Sequence, residues 1–143
     1  MITHSGIFPK IVNGLLVKSK PTTEDSAIIY LASPYSHEFK HARELRFRAV
    51  RICALKLMMK GLDVFSPIAY GHQFSLTFDL PYDAKTWARL NTRFLVASSA
   101  LYILDVPGWV SSLGVTEETR LARQLFLPVK LVSPEGEVLD ENI

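Results

Sequence analysis

The sequence predicts an α/β protein organised around a doubly wound parallel sheet. Two observations carry that expectation. Four short apolar runs rich in strand-forming residues recur along the chain, and helix-length segments with apolar spacing separate them. Parallel strands need such crossovers, because the chain must return to the same end of the sheet before it can pair again. At 143 residues the chain is long enough for one domain with a sizeable core.

The elements follow in order. Residues 1–26 stand apart from the rest: Ile7–Val12 and Leu15–Lys18 flank Asn13-Gly14, the dipeptide of a type I′ hairpin turn, and a polar linker follows from Ser19 to Asp25. This divides the chain into an N-terminal arm at 1–26 and a domain at 27–143. Ala27–Ala32 reads as a central strand halted by Ser33-Pro34. Ser36 is placed to cap a long helix ending near Lys60, with Ala42, Leu45, Ala49, Val50, Cys53, Leu57 and Met58 at helical spacing and Gly61 as its stop. The opposite face carries Arg43, Arg46, Arg48, Arg51 and Lys56, of which Arg43 and Arg46 lie nearest the strand-to-helix turn.

Leu62–Phe65 is the second strand, ending at Ser66-Pro67, and a loop through Tyr70, His72 and Asp79 to Tyr82 is expected after it. Asp83–Ala97 reads as a helix with Trp87, Leu90, Phe94 and Leu95 as its buried stripe. Ala100–Asp105 is the third strand, Val115–Leu125 the next helix, and Pro128–Val132 the fourth strand. The expected architecture is a flavodoxin- or Rossmann-like three-layer α/β/α domain preceded by a β-hairpin arm.

Composition excludes several function classes. Hydrophobic residues make up 48% and charged residues 21% of the chain, and a net charge of +2 gives no electrostatic case for nucleic-acid or membrane binding. No apolar run approaches bilayer length and no basic-then-apolar leader opens the sequence, so a cytoplasmic protein is expected. The single Cys53 rules out an internal disulfide and reads as a core thiol. Four scattered histidines offer no metal-ligand spacing. Neither a Gly-x-Gly-x-x-Gly nor a phosphate-loop motif occurs, so no metal and no cofactor is expected.

Three strand ends converge at the carboxyl edge of such a sheet, where open α/β folds bind ligands. They are Tyr30-Leu-Ala-Ser-Pro-Tyr-Ser36, Ser66-Pro67 through His72, and Asp105-Val-Pro-Gly-Trp-Val-Ser-Ser-Leu-Gly114. The last runs into Val115-Thr116-Glu117-Glu118, so a Ser-x-Gly turn meets a helix N-terminus, a favourable place for an anion, with a carboxylate one turn further in. Structural roles compete for several of these residues: Ser36 as a helix cap, Tyr30 as a buried strand tyrosine, His72 as a loop histidine, Trp109 as a plug closing its loop.

Tyr30–Ser36 resembles the first-strand signature of the nucleoside 2-deoxyribosyltransferases and their relatives. Gly108-Trp109 followed by Ser112-Leu113-Gly114-Val115-Thr116-Glu117-Glu118 is similar to the second signature, above all to the Ser-Leu-Gly-Val-x-x-Glu of the deoxynucleoside 5′-monophosphate N-glycosidases. The resemblance spans roughly Ala27 to Val132. It implies that Glu118 attacks C1′ of the sugar, that Tyr30 orients it, and that a glycosyl-enzyme ester forms, which water or a second base then resolves. Within that expectation Ser112 and the N–H groups around Gly114 hold a 5′-phosphate with Ser33, Ser36 and Arg43 as further donors. Ala32, Pro34 and Ser66 belong to the strand-end turns that contact substrate, and His72 and Trp109 line the base pocket.

One position departs from the pattern. Relatives carry an aspartate that helps protonate the leaving base, and its place here is taken by Asn91, whose amide can hydrogen-bond but cannot act as an acid. Asp83 or Asp79 could substitute for it. The expected partner is a small-molecule nucleotide or nucleoside, and the resemblance also implies a homo-oligomer, with the arm as the extra contact. The leading expectation is therefore an N-glycosidase. The alternatives are a deoxyribosyltransferase and, from another class, a non-catalytic nucleotide-binding module that kept the crevice and lost the acid.

Overall fold

The computed structural model describes residues 10–12, 15–17, 27–78 and 84–143. Strands β1 (Lys10–Val12) and β2 (Leu15–Val17) pair antiparallel as a separate two-stranded sheet. The Asn13-Gly14 turn, the linker, Asp79 and Asp83 lie outside the described residues.

The domain follows the order β3 (Ile28–Ala32), α1 (Lys40–Met59), β4 (Asp63–Phe65), α2 (Pro67–Phe78), α3 (Ala84–Val96), β5 (Ala100–Leu104), α4 (Leu113–Gln124), β6 (Val129–Val132) and β7 (Val138–Asp140). These strands form one five-stranded sheet in the spatial order β4-β3-β5-β6-β7, a flavodoxin-type arrangement. The β3–β4, β3–β5 and β5–β6 pairs are parallel as expected. Beyond the four expected strands, β7 adds an antiparallel edge strand, with a register shift at Leu131/Val132.

Alternation along the central strands feeds two cores. Ile29, Leu31, Ala100, Tyr102 and Leu104 point to one face and pack with Val50, Cys53 and Leu57 of α1. Tyr30, Ala32, Leu101 and Ile103 point to the other, with Leu95 of α3 and Val115 and Ala122 of α4. Helices thus cover both faces, the three-layer arrangement expected. Burial pushes the Cys53 thiol up to about 11, so it stays protonated, as a core thiol should.

Four expectations are corrected. Ser36 does not cap α1: the helix starts at Lys40 behind Phe39, which makes no side-chain cap. The intervening carbonyls are held by arginines from inside the helix instead, Arg46 Nη1 donating to Ser36 O at 2.9 Å and Arg43 Nη1 to the oxygens of His37 and Glu38. The segment after β4 is a helix and not a loop. Pro67 occupies its first turn, where a missing N–H costs nothing, and Ser66 Oγ accepts from Ala69 N at 3.0 Å. On α1 the buried stripe is Phe47, Val50, Cys53 and Leu57, while Leu45 is 51% exposed. Leu90 and Phe94 of α3 are likewise exposed, leaving Leu95 as its buried anchor. Gly61 does end α1, taking φ +91° while its N–H donates to Met58 O at 2.9 Å.

The rotation of α1 is testable. Leu57 is 1% exposed, so Leu57→Ala should cost about 2–5 kcal/mol, whereas Leu45→Ala should stay within about 0.5 kcal/mol. Denaturant unfolding of both variants checks this; similar costs would refute the orientation.

Candidate active site

Strands β3 and β5 are neighbours, yet the chain leaves β3 for β4 on one side and leaves β5 for β6 on the other. Their loops diverge at the carboxyl edge and leave a crevice, as at any switch point of such a sheet. A cavity of about 860 Å³ occupies it, walled by the β3–α1 loop, α2, α3 and the N-terminal half of α4. Among the sequence-expected residues, Ser33, Ser36, His72, Asn91, Ser112, Gly114 and Glu118 line it.

Glu118 stands in the second turn of α4. Ser112 caps that helix, its Oγ accepting from Val115 N at 3.3 Å, which directs the first turn and Glu118 toward the sheet. There the carboxylate meets Tyr30, wholly buried on β3. Burial pushes Glu118 up to about 7, partly offset by the Tyr30 hydroxyl facing it. Burial and the neighbouring carboxylate together raise the Tyr30 phenol far above its ordinary value, so it remains a neutral donor. Their approach falls short of a standard hydrogen bond: Tyr30 OH and Glu118 Oε2, like Ser33 Oγ after β3, are buried polar atoms without a partner. Folded proteins rarely leave such groups unpaired, because each costs about 1–3 kcal/mol. Tyr30 is further hemmed by Phe65, at 5.8 Å between ring centroids, which itself stacks on Phe94 at 4.0 Å. The carboxylate is therefore poised near neutrality by an apolar wall and one hydroxyl.

The opposite wall carries a second polar group. His72 is 2% exposed and uses both ring nitrogens: Nε2 lies 2.8 Å from Glu44 Oε2 and Nδ1 2.5 Å from the Tyr35 hydroxyl. The Phe47 ring stacks on it at 4.1 Å. His72 holds the Glu44 carboxyl below the usual range, chiefly by that hydrogen bond, and Arg48 assists from 3.5 Å. Tyr35 lines the cavity beside His72.

Five expected contacts do not reach the cavity. Ala32 packs into the core below it, and Pro34 is fully buried. Ser66 is consumed in capping α2. Arg43 turns to backbone carbonyls, and it is Arg46 that lines the cavity. Trp109 donates its indole N–H to Asp105 Oδ1 at 3.2 Å, packs against the α4-side core and lines a separate shallow groove. Beside it, Gly108 has φ +97°, a conformation that favours glycine, and the Arg46 guanidinium lies close to its Cα. Among the described residues, no group of three or more His, Cys, Asp or Glu could hold a metal, and no helix is long and apolar enough to cross a membrane.

Residues 27–133 match the family described as "Domain of unknown function (DUF1937)", and the chain belongs to that family. No curated protein matches it. Among solved structures, it is similar to a 2-deoxyribosyltransferase from the psychrotolerant bacterium Bacillus psychrosaccharolyticus, at 22% identity over 80% of this chain and 77% of that one, with a TM-score of 0.47.

The raised Glu118 makes stability depend on pH in a defined direction. The folded state holds this proton more tightly than the unfolded chain, where the carboxyl titrates near 4.5, so folding loses stability as pH rises from there through about 7. The loss reaches about 3 kcal/mol by pH 8. Glu118→Gln should therefore lie within about 1 kcal/mol of the wild type at pH 5 and exceed it by about 3 kcal/mol at pH 8. Denaturant unfolding at the two pH values measures the difference; an equal gap at both would contradict the burial of this carboxylate.

Proposed function

We propose that this chain is an N-glycosidase that cleaves the base–sugar bond of a (deoxy)nucleoside or its 5′-monophosphate through Glu118. The observation that carries the reading is the buried, unpaired Glu118 oxygen facing Tyr30 inside the switch-point cavity. The two signatures that resemble the deoxyribosyltransferase superfamily contribute these same two residues.

The chemistry suits the environment. Ionised Glu118 attacks C1′ as the glycosidic bond breaks, and its charge stabilises the oxocarbenium-like transition state. In surroundings as apolar as these, that attraction is stronger than in water. Tyr30, whose hydroxyl faces the carboxylate, is the donor that orients it as it ionises. Water then attacks C1′ of the glycosyl ester, releasing the sugar and restoring Glu118. Ser112, the N–H groups near Gly114 and the Arg46 guanidinium form the end of the cavity suited to a 5′-phosphate. Asn91, on the α3 wall, can hydrogen-bond the base or a sugar hydroxyl.

Asn91 also favours a second reading, a nucleotide-binding module without turnover, since an amide replaces the acid of the relatives. A transferase, in which a second base captures the sugar, shares every residue named so far. The implied homo-oligomer belongs to the same proposal: Leu45, Ile52 and Leu55 expose apolar surface on α1, and a monomer in sedimentation of the intact chain would refute self-association.

Incubation with ribo- and deoxyribonucleosides and their 5′-monophosphates, followed by chromatography of free base, decides among these. Base release should vanish in Glu118→Ala and should rise with pH through about 7 as Glu118 ionises. Release that persists in the variant would refute the assignment of Glu118. Binding without release, with or without an acceptor base, would favour the module.

A further inference from the structure

We infer that Tyr35, backed by His72 and Glu44, donates the proton that the departing base requires. The inference rests on the glycosidase reading and supplies what Asn91 cannot. Tyr35 and His72 line the same cavity as Glu118 and Asn91, so a substrate bound there meets both the nucleophile and this group.

The hydrogen-bond order fixes how the relay works. Glu44 is an acceptor, so His72 Nε2 at 2.8 Å from its carboxylate must carry a proton. Nδ1, 2.5 Å from the Tyr35 oxygen, then has two states. In the neutral imidazole it accepts the Tyr35 proton, and the phenol is turned away from the ligand. In the imidazolium it donates to the Tyr35 oxygen, which frees the Tyr35 O–H to donate into the cavity. Burial holds the Tyr35 phenol above its ordinary value, helped by Glu44 and opposed by Arg43, so it carries its proton at neutral pH.

The step balances. As the C1′–N bond breaks, its electron pair stays on the base and a ring nitrogen takes the Tyr35 proton. The Tyr35 oxygen takes the proton on His72 Nδ1, and the imidazolium becomes imidazole. Glu44 remains a carboxylate throughout. When water later attacks C1′, the proton it loses returns through Tyr35 to His72. Glu44 is 33% exposed, so solvent helps keep its carboxylate ionised beside the sealed His72. Tyr35 is thus the catalytic residue, with His72 and Glu44 as positioning residues.

Leaving groups that differ only in their need for a proton test this. A guanine nucleoside needs one at departure, whereas its N7-methylated counterpart already carries a positive base. Tyr35→Phe keeps the ring that packs on His72 and removes the donor. It should slow base release from the guanine substrate about 100-fold and leave the N7-methylated one within about threefold of wild type. Glu44→Gln should show the same dependence on leaving group, more weakly. Equal losses on both substrates would mean that Tyr35 only shapes the pocket and would overturn the relay, as would no loss on either. Wild-type chain that releases base from none of the purine or pyrimidine nucleosides and 5′-monophosphates would overturn the glycosidase reading itself, and the relay with it.

Discussion

The parallel pairing of β3 with β5 is the constraint on which the site depends. Its register sets Tyr30 against Leu101, which turns the Tyr30 side chain to the face that α4 covers. The loop leaving β5 then delivers Ser112, and the cap at Ser112 fixes where Glu118 falls on the helix. A slip of one residue would carry Tyr30 to the α1 face and separate it from the carboxylate. Sheet register, a helix cap and a single tyrosine thus act as one device.

That device is costly to the fold. Three buried polar atoms lack partners, those of Tyr30, Ser33 and Glu118, and a carboxylate sits where its charge is disfavoured. The two cores on either side of the sheet offset this with densely packed aliphatic side chains from every central strand. The contrast with the opposite wall is instructive. Tyr35, His72 and Glu44 satisfy one another in series, and the stacked Phe47 ring locks the imidazole in place. One wall of the cavity thus holds polar atoms without partners and the other a connected series of partners.

Strands and crossovers were legible because buried parallel strands leave unbroken apolar runs, as in Ala100–Leu104. The placement of Ser112, Gly114 and Glu118 on one cavity was legible because a Ser-x-Gly turn after a strand opens a helix at the carboxyl edge of the sheet. Helix α2 was not, since His72, Gln73 and Ser75 interrupt any apolar period; the Ser66-Pro67 cap was the signal, read only as a turn. The start of α1 was misplaced because arginine side chains, which follow in sequence, satisfy the carbonyls ahead of it. Glu44 was invisible for a simpler reason: with Arg48 four residues on, it looks like an ordinary surface pair. Strand β7 exposes all three of its residues and carries no alternation to read.

That last strand and its opposite number have a bearing on how copies of this protein coexist at high concentration. Both edges of the sheet, β4 and β7, are three residues long, and each carries an aspartate at one end. Beside β7, Lys130 and Glu141 pair at 2.8 Å. Short, charged margins make poor templates for a neighbouring strand, so the sheet is guarded against the edge-to-edge growth that leads to fibrils. The guard leaves helical surfaces, the outer side of α1 among them, as the apolar ground on which two molecules can meet without extending the sheet.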